Sequence, residues 1–536
     1  MSTPQKFDYV IVGSGAAGAI VANRLSASGA TVCVLEAGPP DNHPFLHVPA
    51  GFIKVIFNPK YAWQFATQPS PFTNNRQIPI PQGRTLGGST SINGLVYNRG
   101  QASDFDSWAQ LGNTGWSFQD VLPYFKSMER RVGGDDAFRG RTGELPVSDI
   151  DWIHPLCEAF IEGATQEGLP RTRDYNGESQ DGVGYFQRTI DKGWRMSTAK
   201  TFLRPIRNRK NLHIETYAQA KKILFKDKRA IGVLFGHPSG HGPTKTVLAL
   251  KEVIVACGTI NTPKLLQLSG IGPAALLKEK GIAVVQDLPG VGENLSDHFS
   301  VRVVAKVQNV KTLNELATGP ALGAQVCRWL LKRPSIMALS PSLVHWFWKS
   351  QPDLTHADLQ GVFTPASYKE GYVGRLDGFP GMTAGVWQHR PKSRGYVRIA
   401  SSDPFEAPTV QPNYLQHPDD QKVLINGVKL ARRLLKTAAL SQYFDKETLP
   451  GALCQSDDEL LDFAKRFGVS SYHVNGTAHM GPRSDPNAVV DHNLRVYGVE
   501  NLRVVDSSVI PTIPSANVCA TTMMIGNRAG DLILGI

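Results

Sequence analysis

The chain contains no C-x-x-C pair, no G-x-S-x-G nucleophile elbow and no G-x-x-x-x-G-K-[ST] loop. Those absences exclude a dithiol redox centre, an α/β-hydrolase serine and a P-loop nucleotide site. Cysteine is scarce: Cys33, Cys157, Cys257, Cys327, Cys454 and Cys519 lie far apart, the pattern of reduced thiols rather than of a disulfide framework. No uncharged apolar run approaches the roughly 18 residues a membrane-crossing helix needs. The opening "MSTPQKFDYVIVGSG" enters a β-rich stretch without the charged and apolar regions of a secretory leader. A cytoplasmic protein is expected, with peripheral membrane contact left open. A long basic block is also missing. The net charge of +11 is spread over short groups such as "RNRK" at 207–210, usually with an acid nearby. A solvated basic surface accounts for that better than a nucleic-acid partner.

What is present points to an enzyme of more than one folding unit. A length of 536 residues exceeds one ordinary core, and 41% hydrophobic with 19% charged residues is ordinary globular composition. The stretch "FDYVIVGSGAAGAIVANRLSASGATVCVLEAG" reads as strand from Phe7 to Val12, glycine turn, helix from Ala16 to Ser28, and strand from Thr31 to Leu35. Gly13, Gly15 and Gly18 fill G-x-G-x-x-G. The first glycine makes the tight turn, the second admits a pyrophosphate, and the third lets helix pack on strand. Glu36 follows the second strand, where a carboxylate accepts from ribose hydroxyls and repels a 2′-phosphate. That excludes NADP more firmly than it separates NAD from FAD.

Two further glycine-rich segments follow. "GRTLGGSTSINGLVYNRG" (83–100) leaves backbone N–H groups free to approach a ligand. "GTINTPKLLQLSGIGP" (258–273), after the strand "EVIVACG", predicts a turn, a helix starting near Pro263 and a glycine cap at Gly270, with "LPGVGENLSDH" (288–298) close behind. Together with the tail from "VVDHNLRVYGVENLRVVDSS" through "IPSANVCATTMMIGNRAGDLI", these segments resemble the glucose–methanol–choline (GMC) family of flavin oxidoreductases. The resemblance covers nearly the whole chain; only about 310–385 matches weakly.

The resemblance implies an α/β, overall α+β, fold: a Rossmann-like FAD-binding domain with a discontinuous substrate-binding domain on an antiparallel sheet. It divides the chain into 1–155, 195–310 and 465–536 for FAD, and 156–194 and 311–464 for substrate. Implied FAD contacts are Gly13, Gly15, Ala16, Ala17, Gly18, Glu36 and Ala37; Arg84, Gly87, Gly88, Ser89, Asn93, Gly94, Leu95 and Val96; and Ala220, Asp506, Asn517 and Val518. Some members link the flavin through a histidine; Ile92 stands at that position, so non-covalent FAD is expected.

"SSYHVNGTAHMG" (470–481) holds two histidines around an Asn-Gly-Thr turn. A metal site on His473 and His479, with Asp485 or Asp491 as a further ligand, matches no common zinc spacing. By resemblance His473 is the catalytic base at the flavin face, although Val474 replaces the family's usual proline, and Asn517 is its partner. His479 reads as structural, and Tyr472 as equally a pocket or a packing residue. The chemistry suits the pair: one group takes the hydroxyl proton and an amide donor steadies the oxygen.

The implied activity is oxidation of a primary alcohol to the aldehyde, with oxygen or another acceptor taking the electrons. Choline oxidation, or redox-silent hydroxynitrile lyase chemistry on the same motifs, are the alternatives. Choline-handling relatives carry a glutamate near the positions of Leu343 and Val344, so a neutral alcohol, aromatic, furanic or aliphatic, is expected here. The aromatic run around His345, Trp346, Phe347 and Trp348 is a candidate substrate wall, and "GGDDAFRGRTGE" (133–144) a candidate exposed loop at the pocket entrance. The stretch 419–440 has helical periodicity with a basic outer face.

Overall fold

The computed structural model describes residues 4–369 and 375–536. Two seven-stranded sheets, each with its own hydrophobic core, hold the molecule together. The first sheet is built on Gln5–Val12, whose apolar "YVIV" end is covered on both faces, as befits a central parallel strand. Val32–Leu35 and Lys245–Val255 lie parallel on either side of it, and Leu212–Glu215 extends the sheet beyond Val32–Leu35. Lys245–Val255 changes partner along its length: Arg229–Gly236 pairs antiparallel with its first half, and Leu502–Val504 parallel with its last residues. The parallel strands therefore end together, at Val12, Leu35, Val255 and Val504, the edge at which such sheets place their ligands.

The second sheet is antiparallel, in the order Phe444–Leu449, Phe299–Val307, Gly381–Gln388, Leu359–Thr364, Val344–Trp348 and Gly182–Tyr185, with Val469–Ser470 beside Phe299–Val307. The helix Pro418–Leu435 covers one face through Leu424, Ile425, Val428, Ala431 and Leu434, the helical stripe its sequence predicts. Burial of each of the leucine, isoleucine and valine side chains among these stabilises by about 1.5–3 kcal/mol. The helix Gly18–Ala27 packs against the last helix, Val518–Leu534, where a Cβ on Gly526 would come within 2.7 Å of the Ala17 Cα.

Three expectations are corrected. The helix anticipated near Pro263 begins at Gly258 and carries the proline inside. Pro263 has no N–H for the Thr259 carbonyl one turn back, and the Thr477 hydroxyl donates to that carbonyl instead, at 2.6 Å. The loop at 133–144 is exposed at its tip, but Arg139 turns inward. With Arg99 it clamps the buried Glu129, and it also pairs with Asp174 at 2.6 Å; no residue of the loop lines the large cavity described below. Leu343, Val344, Trp346 and Phe347 are core residues, and none of 343–348 reaches that cavity, because alternate side chains of Val344–Trp348 pack into the interior on both faces.

Candidate functional site

One long cavity runs from the carboxyl edge of the first sheet to the face of the second. At its first end Gly13, Gly15, Ala16, Ala17, Glu36, Ala37 and Ala220 line the wall. Gly13 (φ +101°) cannot carry a side chain: a Cβ would lie 2.3 Å from the Ala256 carbonyl. Gly18 does not reach the cavity; it packs against the turn, where a Cβ would stand 2.1 Å from the Gly13 oxygen. The helix that follows has no side-chain cap and no acid in its first turn, so its free N–H groups favour an anion. Glu36 is buried, with one oxygen accepting from the Ser14 hydroxyl at 2.5 Å and the other from the Gly38 amide at 2.9 Å. Burial raises its pKa, against the pull of those hydrogen bonds.

The middle is lined by Gly88, Ser89, Asn93, Gly94, Leu95 and Val96 on one side and by Asp506, Asn517 and Val518 on the other. Gly88 (φ +52°) passes so close to the first glycine turn that a Cβ would meet the Gly15 Cα at 2.8 Å. Asp506 is buried and accepts from the Gly258 amide at 2.8 Å and the Thr262 hydroxyl at 2.6 Å; burial raises its pKa. The helix Val518–Leu534 opens into the cavity without a side-chain cap. An elongated cleft with a carboxylate at one end, two uncapped helix N-termini and backbone exposed by glycines fits a dinucleotide. Arg84 and Gly87 do not line it: Arg84 stacks on Trp63 at 4.4 Å, and Gly87 takes φ +85° to turn the chain beside Ala199.

At the far end His473 and Asn517 meet, with Asn517 Nδ2 2.8 Å from His473 Nε2. His473 is buried, and desolvation holds its pKa well below the usual histidine value, with His298 adding to the effect. Its Nδ1 lies 2.9 Å from His298 Nδ1, and His298 Nε2 lies 2.7 Å from the His389 carbonyl. Its backbone amide donates to Asp297 Oδ1 at 2.7 Å. The other oxygen of Asp297 accepts from the hydroxyls of Tyr414 and Ser470, and burial still lifts that carboxyl to about 6. Tyr472 adopts φ +64°, lines the cavity and packs against the small hydrophobic cluster that contains Ile56, Tyr61 and Ile92. His479 lies away from the cavity and pairs with Asp485 at 3.0 Å.

The remaining wall is the second sheet. Register pairs Ser300 with Trp387, Arg302 with Gly385, and Val362 with Gly385, so these residues share the face that closes the cavity. Arg302 also lies over the Tyr368 ring at 5.4 Å. Among the described residues lining this half there is a guanidinium and no carboxylate. Trp387 is buried with its ring 5.8 Å from that of His473, and its Nε1–H has no partner among the described residues. Of the residues around the site, His298, Arg302 and Trp387 are not singled out by the sequence. Only His298 stands in a segment already noted, "LPGVGENLSDH".

Two family models described as GMC oxidoreductase match residues 7–300 and 391–526. An oxygen-dependent choline dehydrogenase of Photobacterium profundum is 39% identical over 533 residues, covering 99% of this chain and 93% of that protein. One from Brucella anthropi is 41% identical, covering 98% and 95%. Among solved structures, pyridoxine 4-oxidase from "Mesorbium loti" superposes with TM-score 0.88 at 28% identity, covering 98% of each chain. An Aspergillus oryzae RIB40 formate oxidase variant gives TM-score 0.92 at 26% identity, covering 100% of this chain and 99% of that one.

Proposed function

The chain belongs to the GMC oxidoreductase family, oxidoreductases acting on CH–OH donors, and on that premise we propose that it oxidises a primary alcohol without positive charge to its aldehyde. FAD, when bound, supplies the hydride acceptor. In this reading Glu36 holds the ribose end, the turn at Gly13, Gly15, Ala16 and Ala17 the pyrophosphate, and Asn93, Gly94 and Val518 border the ring. His473 takes the hydroxyl proton on Nε2, and the Asn517 amide steadies the oxygen left behind. The observation that carries the reading is the 2.8 Å approach of Asn517 Nδ2 to His473 Nε2 at the closed end of the dinucleotide cleft. The FAD-binding part takes in 1–155, most of 195–310 and 465–536. The substrate-binding part comprises 156–194 and 311–464, to which we add the strand Phe299–Val307.

Attachment of the FAD is non-covalent in this reading, because Ile92 offers no nucleophile at the cavity wall. Anaerobic addition of a short alkanol or benzyl alcohol tests the proposal. Bleaching of the flavin absorbance is expected, whereas an unchanged spectrum is the result for a redox-silent lyase. A panel of alcohols with oxygen and with an artificial acceptor then names the substrate and the electron acceptor. Choline is the second reading, favoured by the names of relatives at 39–41% identity. The guanidinium of Arg302, which makes a further interaction of its own, lines the wall a substrate would meet and weighs against it.

A further inference from the structure

His473 acts as a base through one nitrogen only if the other carries the proton, and the surroundings of the ring decide which. Starting behind the ring, His298 Nε2 faces a carbonyl oxygen, which accepts and never donates, so that nitrogen carries hydrogen. Burial holds His298 down to about 4, neutral, which leaves a lone pair on its Nδ1. His473 Nδ1, 2.9 Å away, must then donate, and His473 Nε2 is bare.

A second chain reaches the same ring from the opposite side. Arg390, a donor in every state, donates to Gln101 Oε1. Gln101 Nε2 donates to the Ala357 carbonyl at 2.9 Å and to Gln180 Oε1 at 3.1 Å. Gln180 Nε2 donates to the Ser515 carbonyl at 2.8 Å and to Asn98 Oδ1 at 3.1 Å; the same oxygen accepts from the Gly100 amide at 3.2 Å. Each of these three amides is thus oriented by a backbone group that has only one role. The direction passes from Asn98 Nδ2 to Gln360 Oε1 at 3.5 Å, and from Gln360 Nε2 to Asn517 Oδ1 at 3.1 Å. Asn517 can then present only its NH₂ to His473 Nε2.

We infer that Gln360 and His298 are positioning residues that fix His473 as the Nδ1–H tautomer, one by directing the Asn517 amide and the other by accepting from Nδ1. The two chains share no residue except the ends they meet at, and they require the same proton placement. The role rests on the alcohol-oxidising reading above, but proton placement is observable without turnover. The titratable groups around the ring are His298, His389 behind it, Asp297 at its backbone amide with Tyr414 on that carboxyl, and Tyr472 next to it in the chain.

The test compares Gln360→Glu with Gln360→Met in the FAD-loaded protein. A carboxylate only accepts, so it takes the Asn98 donor and demands another from Asn517, turning Oδ1 toward His473 Nε2 and calling a proton onto that nitrogen. Anaerobic flavin reduction by alcohol is expected to slow roughly 10²-fold at neutral pH, with the pH profile moved up by about one unit or more. Methionine has the size without the direction; a loss under about tenfold with the profile in place is expected. Nitrogen-15 spectra of histidine-labelled holoprotein, with the His473 signals assigned by their loss in His473→Asn, should show the proton on Nδ1. The inference is overturned if the unaltered protein carries it on Nε2, or if the two Gln360 variants share one rate and one pH profile. Failure of alcohol to reduce the unaltered flavin would instead overturn the functional reading and leave the spectral result standing.

Discussion

Substitution of carbon for the nitrogen of choline gives 3,3-dimethylbutan-1-ol, a molecule of the same shape without the charge, and the pair isolates what the Arg302 wall does. Gly385 lies between Arg302 and Val362 on the cavity wall, where a Cβ would stand 3.9 Å from Arg302 Cγ and crowd Val362 Cγ2 at 2.9 Å, so the three residues form one tight patch of wall. Were a cation held at about 7 Å from a bare guanidinium at an effective dielectric of about 20, the repulsion would be about 2.4 kcal/mol, roughly 50-fold. Solvent screening and the further interaction that the half-buried arginine makes reduce that to about 1 kcal/mol, roughly fivefold. The aromatic faces of Trp387 and Tyr368 recover only part of it. Measured as kcat/KM under one set of conditions, the neutral isostere should exceed choline by between about fivefold and 50-fold. Arg302→Gln should shrink that ratio toward unity. Choline turning over faster than its isostere, or a ratio indifferent to the substitution, would refute the reasoning.

Other outcomes follow from single positions. Gly88→Ala puts a Cβ 2.8 Å from the Gly15 Cα at φ +52°, so FAD content after purification should drop well below that of the parent; full loading contradicts the close approach of the two turns. Gly385→Leu forces a side chain against Val362 on the cavity wall, where a Cβ would already stand 2.9 Å from Val362 Cγ2, and should slow reduction by bulky alcohols while the flavin stays bound, as read by its absorbance. His345 is buried among Tyr175, Phe186 and Phe347, and burial pushes it down to about 3. Its unfolded value is near 6.5, so between pH 6.5 and 5 the unfolded chain gains a proton that the folded one does not, costing about 2 kcal/mol at pH 5. His345→Phe removes that loss, and urea unfolding at both pH values should show the variant gaining about 2 kcal/mol on its parent as pH falls from 7 to 5. A pH-independent difference contradicts it.

Local chemistry made the first end of the cleft readable in the chain. Gly13, Gly15, Gly18 and Glu36 lie within one strand–turn–helix–strand unit, where Gly13 makes the tight turn and Gly18 lets the helix pack against it as their spacing implies. Pro263 misled because the donor that repairs its helix, Thr477, lies 218 residues away. The substrate wall was less legible for the same reason. Arg302, Gly385 and Val362 come together through antiparallel register, and period-two alternation does not say which face of a strand meets a cavity. The run through Trp346 and Phe347 reads as an aromatic box but serves the interior, where large apolar side chains usually belong. The path from Arg390 to Asn517 consists of amides scattered over the chain, and amides carry no signature until they are neighbours.

The most direct measurement on the central claim is anaerobic stopped-flow reduction of FAD-loaded His473→Ala by an alcohol that reduces the parent. The account predicts a yellow protein with parental FAD content whose flavin reduction is slower by roughly 10² or more. Reduction at the parental rate would contradict it, as would a variant that folds but no longer holds the flavin.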